Sequence, residues 1–141
     1  MDSVLSFRKR QENIAQEKYA LAELAVTQAL ERLNHKKREI EALTRALADK
    51  QRVGILAMEI GRYENKIEFG RVEIQQLENV FQEKKDIAVK KRQRLLEKAK
   101  DHKVLKTLKE QQNKSWLQYL DKKEAAILDE IAILHHDRKT R

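Results

Sequence analysis

Apolar side chains recur every seven residues along this chain, in two runs. Val26, Leu33, Ile40 and Leu47 form the first run; Ile60, Ile67, Ile74, Phe81, Ala88 and Leu95 form the second. A sustained seven-residue apolar repeat keeps one seam of an α-helix turned towards a partner helix. The pattern breaks at "ADKQRVGILAMEIGRY", residues 48–63, where a glycine and several apolar side chains displace the charge. Folding the chain back between Val53 and Gly54 sets the runs against each other. Leu47 then lies opposite Ile60, Ile40 opposite Ile67, Leu33 opposite Ile74, Val26 opposite Phe81 and Tyr19 opposite Ala88. Glycine tolerates the left-handed backbone that ends helices, so the interruption reads as a hairpin turn. No Ser, Thr or Asp cap stands just before the second helix, which leaves a kinked continuous helix as the alternative.

The expected fold is all-α: two long helices forming an antiparallel coiled-coil hairpin, with the second helix longer. One unit spans residues 1–141, with helix 1 at about 3–50, the turn at about 51–57 and helix 2 at about 58–138. At about 1.5 Å per residue the arms span roughly 75 and 125 Å. Two details complicate the seam. Phe7, Ile14 and Leu21 also repeat every seven residues, but the step from Leu21 to Val26 is five. The seam is therefore expected to change face there and to loosen. Gly61 and Gly70 fall inside helix 2 and read either as close helix approach or as local softness.

Under this pairing Met1 lies near Lys106, and roughly 35 residues beyond it lack an intrachain partner. That overhang carries Leu117, Leu120, Ile127, Ile131 and Leu134 at three- and four-residue spacing, interrupted by Glu124, with Trp116 and Tyr119 near its start. An uncovered apolar stripe marks a surface for another chain, and Trp and Tyr are favoured at interface centres. Self-association or fraying is the other reading of the same stripe.

Composition supports helix and narrows the chemistry. There is no proline, only three glycines, and 38% of the 141 residues are charged. Proline costs about 3 kcal/mol inside a helix and glycine about 1, so helix is almost unopposed. Aromatics at 5% are too few for a thick globular core, which favours long helices or a coiled coil. Without cysteine there is neither a disulfide framework nor a thiolate metal site. The opening "MDSVLSFRKRQ" lacks the apolar stretch of a secretory signal. No apolar run approaches the roughly 20 residues that span a bilayer. A soluble, cytoplasmic or at most peripheral protein is expected.

The net charge of +8 is concentrated. Eleven basic residues lie between Lys84 and Lys109 against Asp86, Glu97 and Asp101. This segment, with Lys90, Lys91, Arg92 and Arg94 at its densest part, suits an acidic partner surface, nucleic acid or anionic lipid; a solvated helix face is the plain alternative. Nucleic acid is disfavoured as a partner, because the segment holds no aromatic residue to stack on bases and matches no known binding module.

Catalytic signals are missing. No GxxxxGK[ST] loop is present to cradle a nucleotide. His135 and His136 are adjacent, so on a helix they point about 100° apart, and His35 and His102 stand alone in charged stretches. A general acid or base needs a pocket that shifts its pKa, and a two-helix hairpin has no closed interior. The expectation is a non-enzymatic protein with no cofactor, no metal and no small-molecule substrate.

Five stretches in order are "SFRKRQENIAQEKYALAELA", "RVGI", "RYENKI", "VLKTLKEQQ" and "KKEAAILDEIAILHH". The chain resembles the FliJ family, the coiled-coil component of the flagellar type III export apparatus, along its full length. Most of that likeness is generic helical composition. The specific part is Glu124 with Asp129, Glu130, Ile131 and Ala132, set at the family's distance from Gly54 and Tyr63. Injectisome export stalks share the architecture and remain the alternative. The resemblance implies an antiparallel two-helix coiled coil like the central stalk of rotary ATP synthases. It implies three partners: the hexameric export ATPase, whose assembly the family promotes, the membrane export-gate subunit FlhA, and export chaperones. It also implies peripheral attachment at the inner face of the cell membrane.

In that picture the end with both termini enters the ATPase ring, through Leu117, Leu120, Ile127, Asp129, Glu130, Ile131 and Leu134, and the hinge end points at the gate. The family's gate-binding face lies on the second helix soon after the turn, which brings in Tyr63, Ile67 and Leu77. The corresponding face here carries Lys66, Gly70 and Glu73, with only Leu77 apolar.

Overall fold

Good helix formers without proline flank the turn on both sides, and both stretches become continuous helices. The computed structural model describes the backbone of residues 2–140 and the side chains of residues 2–136. Helix α1 runs Asp2–Val53 and helix α2 runs Ala57–Thr140. Among the described residues only Gly54, Ile55 and Leu56 lie outside a helix, and none lies in a strand. The chain is an all-α helical hairpin whose second helix is the longer, as its hydrophobic pattern predicts. The helices divide into two packing units, Glu12–Glu97 and Met1–Gln11 with Lys98–Arg141.

The turn belongs to the first of these units and removes the kinked-helix alternative. Gly54 adopts φ +102°, which a side chain would strain. Its N–H donates to the Lys50 carbonyl at 2.9 Å, closing the last turn of α1. Leu56 occupies the N-cap of α2: its carbonyl accepts from the N–H groups of Glu59 at 3.0 Å and Ile60 at 3.2 Å. An aliphatic N-cap has no side-chain oxygen to satisfy the free N–H groups of the first turn. The turn therefore rests on backbone geometry and on Ile55, which packs against the apolar seam.

That seam is thickest beside the turn, where buried Ile40, Leu47 and Ile67 gather Leu43, Ile55, Ile60, Tyr63 and Ile74 around them. Each buried large aliphatic side chain contributes about 1.5–3 kcal/mol. Further along, the buried residues are small: Ala15, Ala22 and Ala29 on α1 and Ala88 on α2. These alanines correct the expected change of face near Leu21. They continue the repeat of Leu33, Ile40 and Leu47 at the alternating three- and four-residue step, so the seam keeps one face along α1. Ile14 and Leu21 are exposed instead, Leu21 by 66%. A search for large apolar residues overlooks alanine, yet a methyl group on the inner face is what lets two helices approach closely.

The register also differs from the expected one. Ile40 sits over Gly70, three residues beyond the Ile67 that a fold-back at Val53–Gly54 places opposite it. A Cβ on Gly70 would collide with Ile40 Cδ1 and lie 2.7 Å from its Cγ1. The physical reason is in the turn: α1 continues through Val53, so the chain reverses around Ile55 and every facing pair slides by about one helical turn. Gly70 is thus a site of close helix approach, whereas nothing lies within 4 Å of a Cβ on Gly61. Lys36, half-buried beside this contact, reaches Glu73 at 2.8 Å and Glu39 at 3.5 Å. Its hydrogen bond to Glu73 raises its pKa above the ordinary 10.5. The Lys36 contribution is therefore present at neutral pH and is lost as pH rises past 10.5.

In the second unit the opening turns of α1 lie along α2. Arg8 pairs with Asp101 at 3.7 Å, and Asp2 pairs with Lys109. The Lys109 ammonium holds the Asp2 carboxyl below its ordinary value of 3.8. Phe7, expected near the seam, is 50% exposed.

Three outcomes test this account. Gly61→Ala raises stability by about 1 kcal/mol, the propensity difference between the residues. Gly70→Ala does not gain it and destabilises instead, because both the Cδ1 and the Cγ1 of Ile40 obstruct a Cβ there, as read by urea denaturation. Leu56→Asp supplies the missing cap and stabilises by about 1 kcal/mol, whereas an unchanged melting temperature would show that Leu56 is not the N-cap. Asp2→Asn lowers the melting temperature near neutral pH. Because the native pKa is depressed, the difference from the parent shrinks as pH falls below 3.8 and the parent carboxylate protonates.

Candidate functional site

Helix propensity carries α2 past the point where α1 begins, and this leaves part of it bare. Within the second unit the half-buried α2 positions Lys98, His102, Leu105 and Lys109 mark the face turned towards α1. From residue 110 to residue 136 every side chain is exposed. Nothing among the described residues covers this stretch.

Its apolar residues are organised. Leu117, Leu120, Ile127, Ile131 and Leu134 are each between 38% and 63% exposed and share one side of α2. Continuing the α1-facing side at heptad spacing leads instead through Trp116, Tyr119, Lys123, Ala126, Glu130 and Ile133. The stripe is one residue on from that line at each step, a rotation of about 100°. A partner seated on the stripe therefore approaches from a different side than α1 does. Asp129 points away from the stripe, Glu130 and Lys123 border it, and Glu124 interrupts it. Leu128, which the spacing rule passes over, sits on the other border and is also exposed.

At the start of this stretch the Trp116 and Tyr119 rings stack, with centroids 5.7 Å apart and planes 25° apart. Leu108, Gln111, Gln112 and Ser115 complete a shallow groove with them. Flat aromatic faces flanked by amide side chains suit a protein surface better than a small molecule, because the groove encloses nothing.

The turn-proximal candidates are separated by the fold. Ile67 is only 6% exposed and belongs to the core with Ile40 and Leu47. Leu77 is half-buried, and Gly70 is closed off beneath Ile40. Tyr63 stays half-exposed, with the Lys50 ammonium 5.0 Å from its ring centroid. On α2 Phe69 and Val72 are exposed, and the turn itself exposes Val53, Leu56 and Met58, Val53 by 90%. Sequence reasoning missed these last three because they have no periodicity; the turn alone brings them together.

The basic candidates do not form one surface. Lys90 and Arg94, four residues apart, share a side of α2. Lys91 is half-buried in line with the seam, and Arg92 points elsewhere. A solvated, strongly positive helix is what this arrangement makes, without a continuous track. Among the described residues, no group of His, Asp and Glu is placed to hold a metal, and no helix is long and apolar enough to cross a membrane.

These features leave an uncovered apolar stripe and a stacked aromatic pair on α2. A family model described as "Flagellar FliJ protein" matches residues 1–141, the entire chain. No curated protein matches, and no solved structure does. A complete-length match to that family, on a helical hairpin with a longer second helix, establishes that the chain belongs to the FliJ family of non-catalytic flagellar export components.

Proposed function

We propose that this chain is a stalk of the flagellar export apparatus that docks into the hexameric export ATPase and promotes its assembly. The observation that carries this reading is the bare length of α2, where Leu117, Leu120, Ile127, Ile131 and Leu134 stand exposed on one side with none of the described residues covering them. A solvent-facing stripe of this kind reduces solubility unless something covers it. Asp129 and Glu130, on other sides of the same turns, supply charge that fixes rotation and depth in a ring. The ATPase performs the hydrolysis; this chain contributes contacts.

The opposite end of the hairpin meets the membrane gate subunit FlhA. With Ile67 in the core and Leu77 half-covered, that contact falls to Tyr63 and to the exposed Val53, Leu56 and Met58 around the turn. The basic residues Lys90, Arg92 and Arg94 are exposed. They attract acidic surfaces, including export chaperones, and this term weakens as salt rises.

Replacing Ile127 and Ile131 together by Asp removes two aliphatic contacts worth about 1.5–3 kcal/mol each. The expected result is a loss of affinity for the cognate ATPase of about 100-fold or more, with helical content by circular dichroism unchanged. ATPase stimulation falls with it. Undiminished binding by the doubly substituted protein would remove the ring-docking reading.

A further inference from the structure

We propose that the bare C-terminal stretch of α2 is a self-complementary surface, through which two copies of this chain pair antiparallel. The inference shares its stripe with the ATPase reading but does not depend on it. The stripe consists of two interleaved seven-residue sets: Leu117, Glu124 and Ile131, and Leu120, Ile127 and Leu134. In an antiparallel helix pair the first set of one helix faces the second set of the other. A two-fold axis level with the Ala125–Ala126 bond satisfies this throughout. Leu117 then meets Leu134 of the second copy, Leu120 meets Ile131, and Glu124 meets Ile127. An isologous interface requires each contact to occur twice, and this register provides that.

Charge selects the same register. Lys123 and Glu130 border the stripe on one side, both exposed and seven residues apart. At this pairing Lys123 lies on the same flank as Glu130 of the second copy, about two residues away along the axis and within reach of its side chain, and Glu130 likewise lies beside its Lys123. Opposite charges therefore flank the apolar layers twice. A parallel arrangement instead sets Lys123 across from Leu128 of the second copy, so it gains no such pair of opposite charges. A second copy thus fits both the apolar pattern and the bordering charges. The α1-facing side of α2 stays free for its own helix, being rotated by about 100° from the stripe.

Glu124 limits the affinity. It is the one charged residue in the stripe, and the axis places its two copies in adjacent central layers, facing Ile127. Pairing is consequently weak and reversible, which suits a surface that must also be released to another partner. The self-paired form holds the stripe covered until a competing surface takes it.

Sedimentation equilibrium of the full chain tests the pairing, with a monomer–dimer equilibrium as the expected result. Lys123→Glu weakens dimerisation about tenfold by turning two attractions into repulsions, and Lys123→Glu combined with Glu130→Lys restores it. Glu124→Leu tightens it about tenfold or more. Orientation is read by disulfide trapping, for which the absence of cysteine from the chain is convenient. A mixture of Leu117→Cys and Leu134→Cys proteins cross-links, while neither protein cross-links alone. A monomer at all concentrations overturns the proposal, as do cross-linking of each variant with itself or a dimer indifferent to the charge swap. None of these measurements includes the ATPase, so failure here leaves the docking reading standing, and failure of ATPase binding leaves this one standing.

Discussion

One narrow apolar seam holds the helices together, and it is all the burial this composition permits. With a mean hydropathy of −0.80 and 38% charged residues, the chain has no material for a second layer. Buried residues are confined to single positions every three or four residues, and among the described residues no fully buried one is polar or charged. A long helix gains most of its stability in a protein from such packing and not from propensity. The arrangement is uneven: Leu33, Ile40, Leu47 and Ile67 supply bulk towards the turn, whereas alanines supply proximity farther along. Gly70 fixes the slide of one helix on the other, because only a residue without a side chain accommodates Ile40 there.

The same economy explains where exposed apolar surface lies. Where α1 no longer runs beside α2, residues 110–136 are exposed, and among the described residues none covers their apolar groups. Their apolar stripe is rotated by about 100° from the side that faces α1. Towards the turn the situation is reversed. Ile67 and Gly70 are consumed by the hairpin itself, and the exposed apolar groups include Val53, Leu56 and Met58 at the turn and Phe69 and Val72 on α2. The aliphatic N-cap at Leu56 gives up a stabilising hydrogen bond in the same place, a local departure of the kind found where a protein meets something else.

Most of the fold was legible as periodicity. A seven-residue repeat interrupted once by glycine has few solutions in an all-helical chain, and the hairpin is the one that covers both runs. The bare stripe was legible for the same reason, since Leu117, Leu120, Ile127, Ile131 and Leu134 repeat without a counterpart elsewhere. What escaped was fine placement. The alanines at 15, 22 and 29 are too small to stand out beside Phe7, Ile14 and Leu21, yet they occupy the inner face while the larger residues lie outside. Consecutive basic residues at 90, 91, 92 and 94 look like a patch in one dimension, but a helix disperses them around its axis.

The sequence by itself determined the helices, the turn and the existence of an uncovered apolar stripe, because these follow from local propensity and from spacing along one chain. Only the tertiary structure decided the register, the role of Gly70, and which candidates remain at the surface. Those depend on where α1 ends relative to the reversal at Ile55. An antiparallel pair amplifies a shift of one or two residues at the turn into nearly a full helical turn between every facing side chain. No single position in the sequence encodes that shift; steric fit along the whole seam selects it.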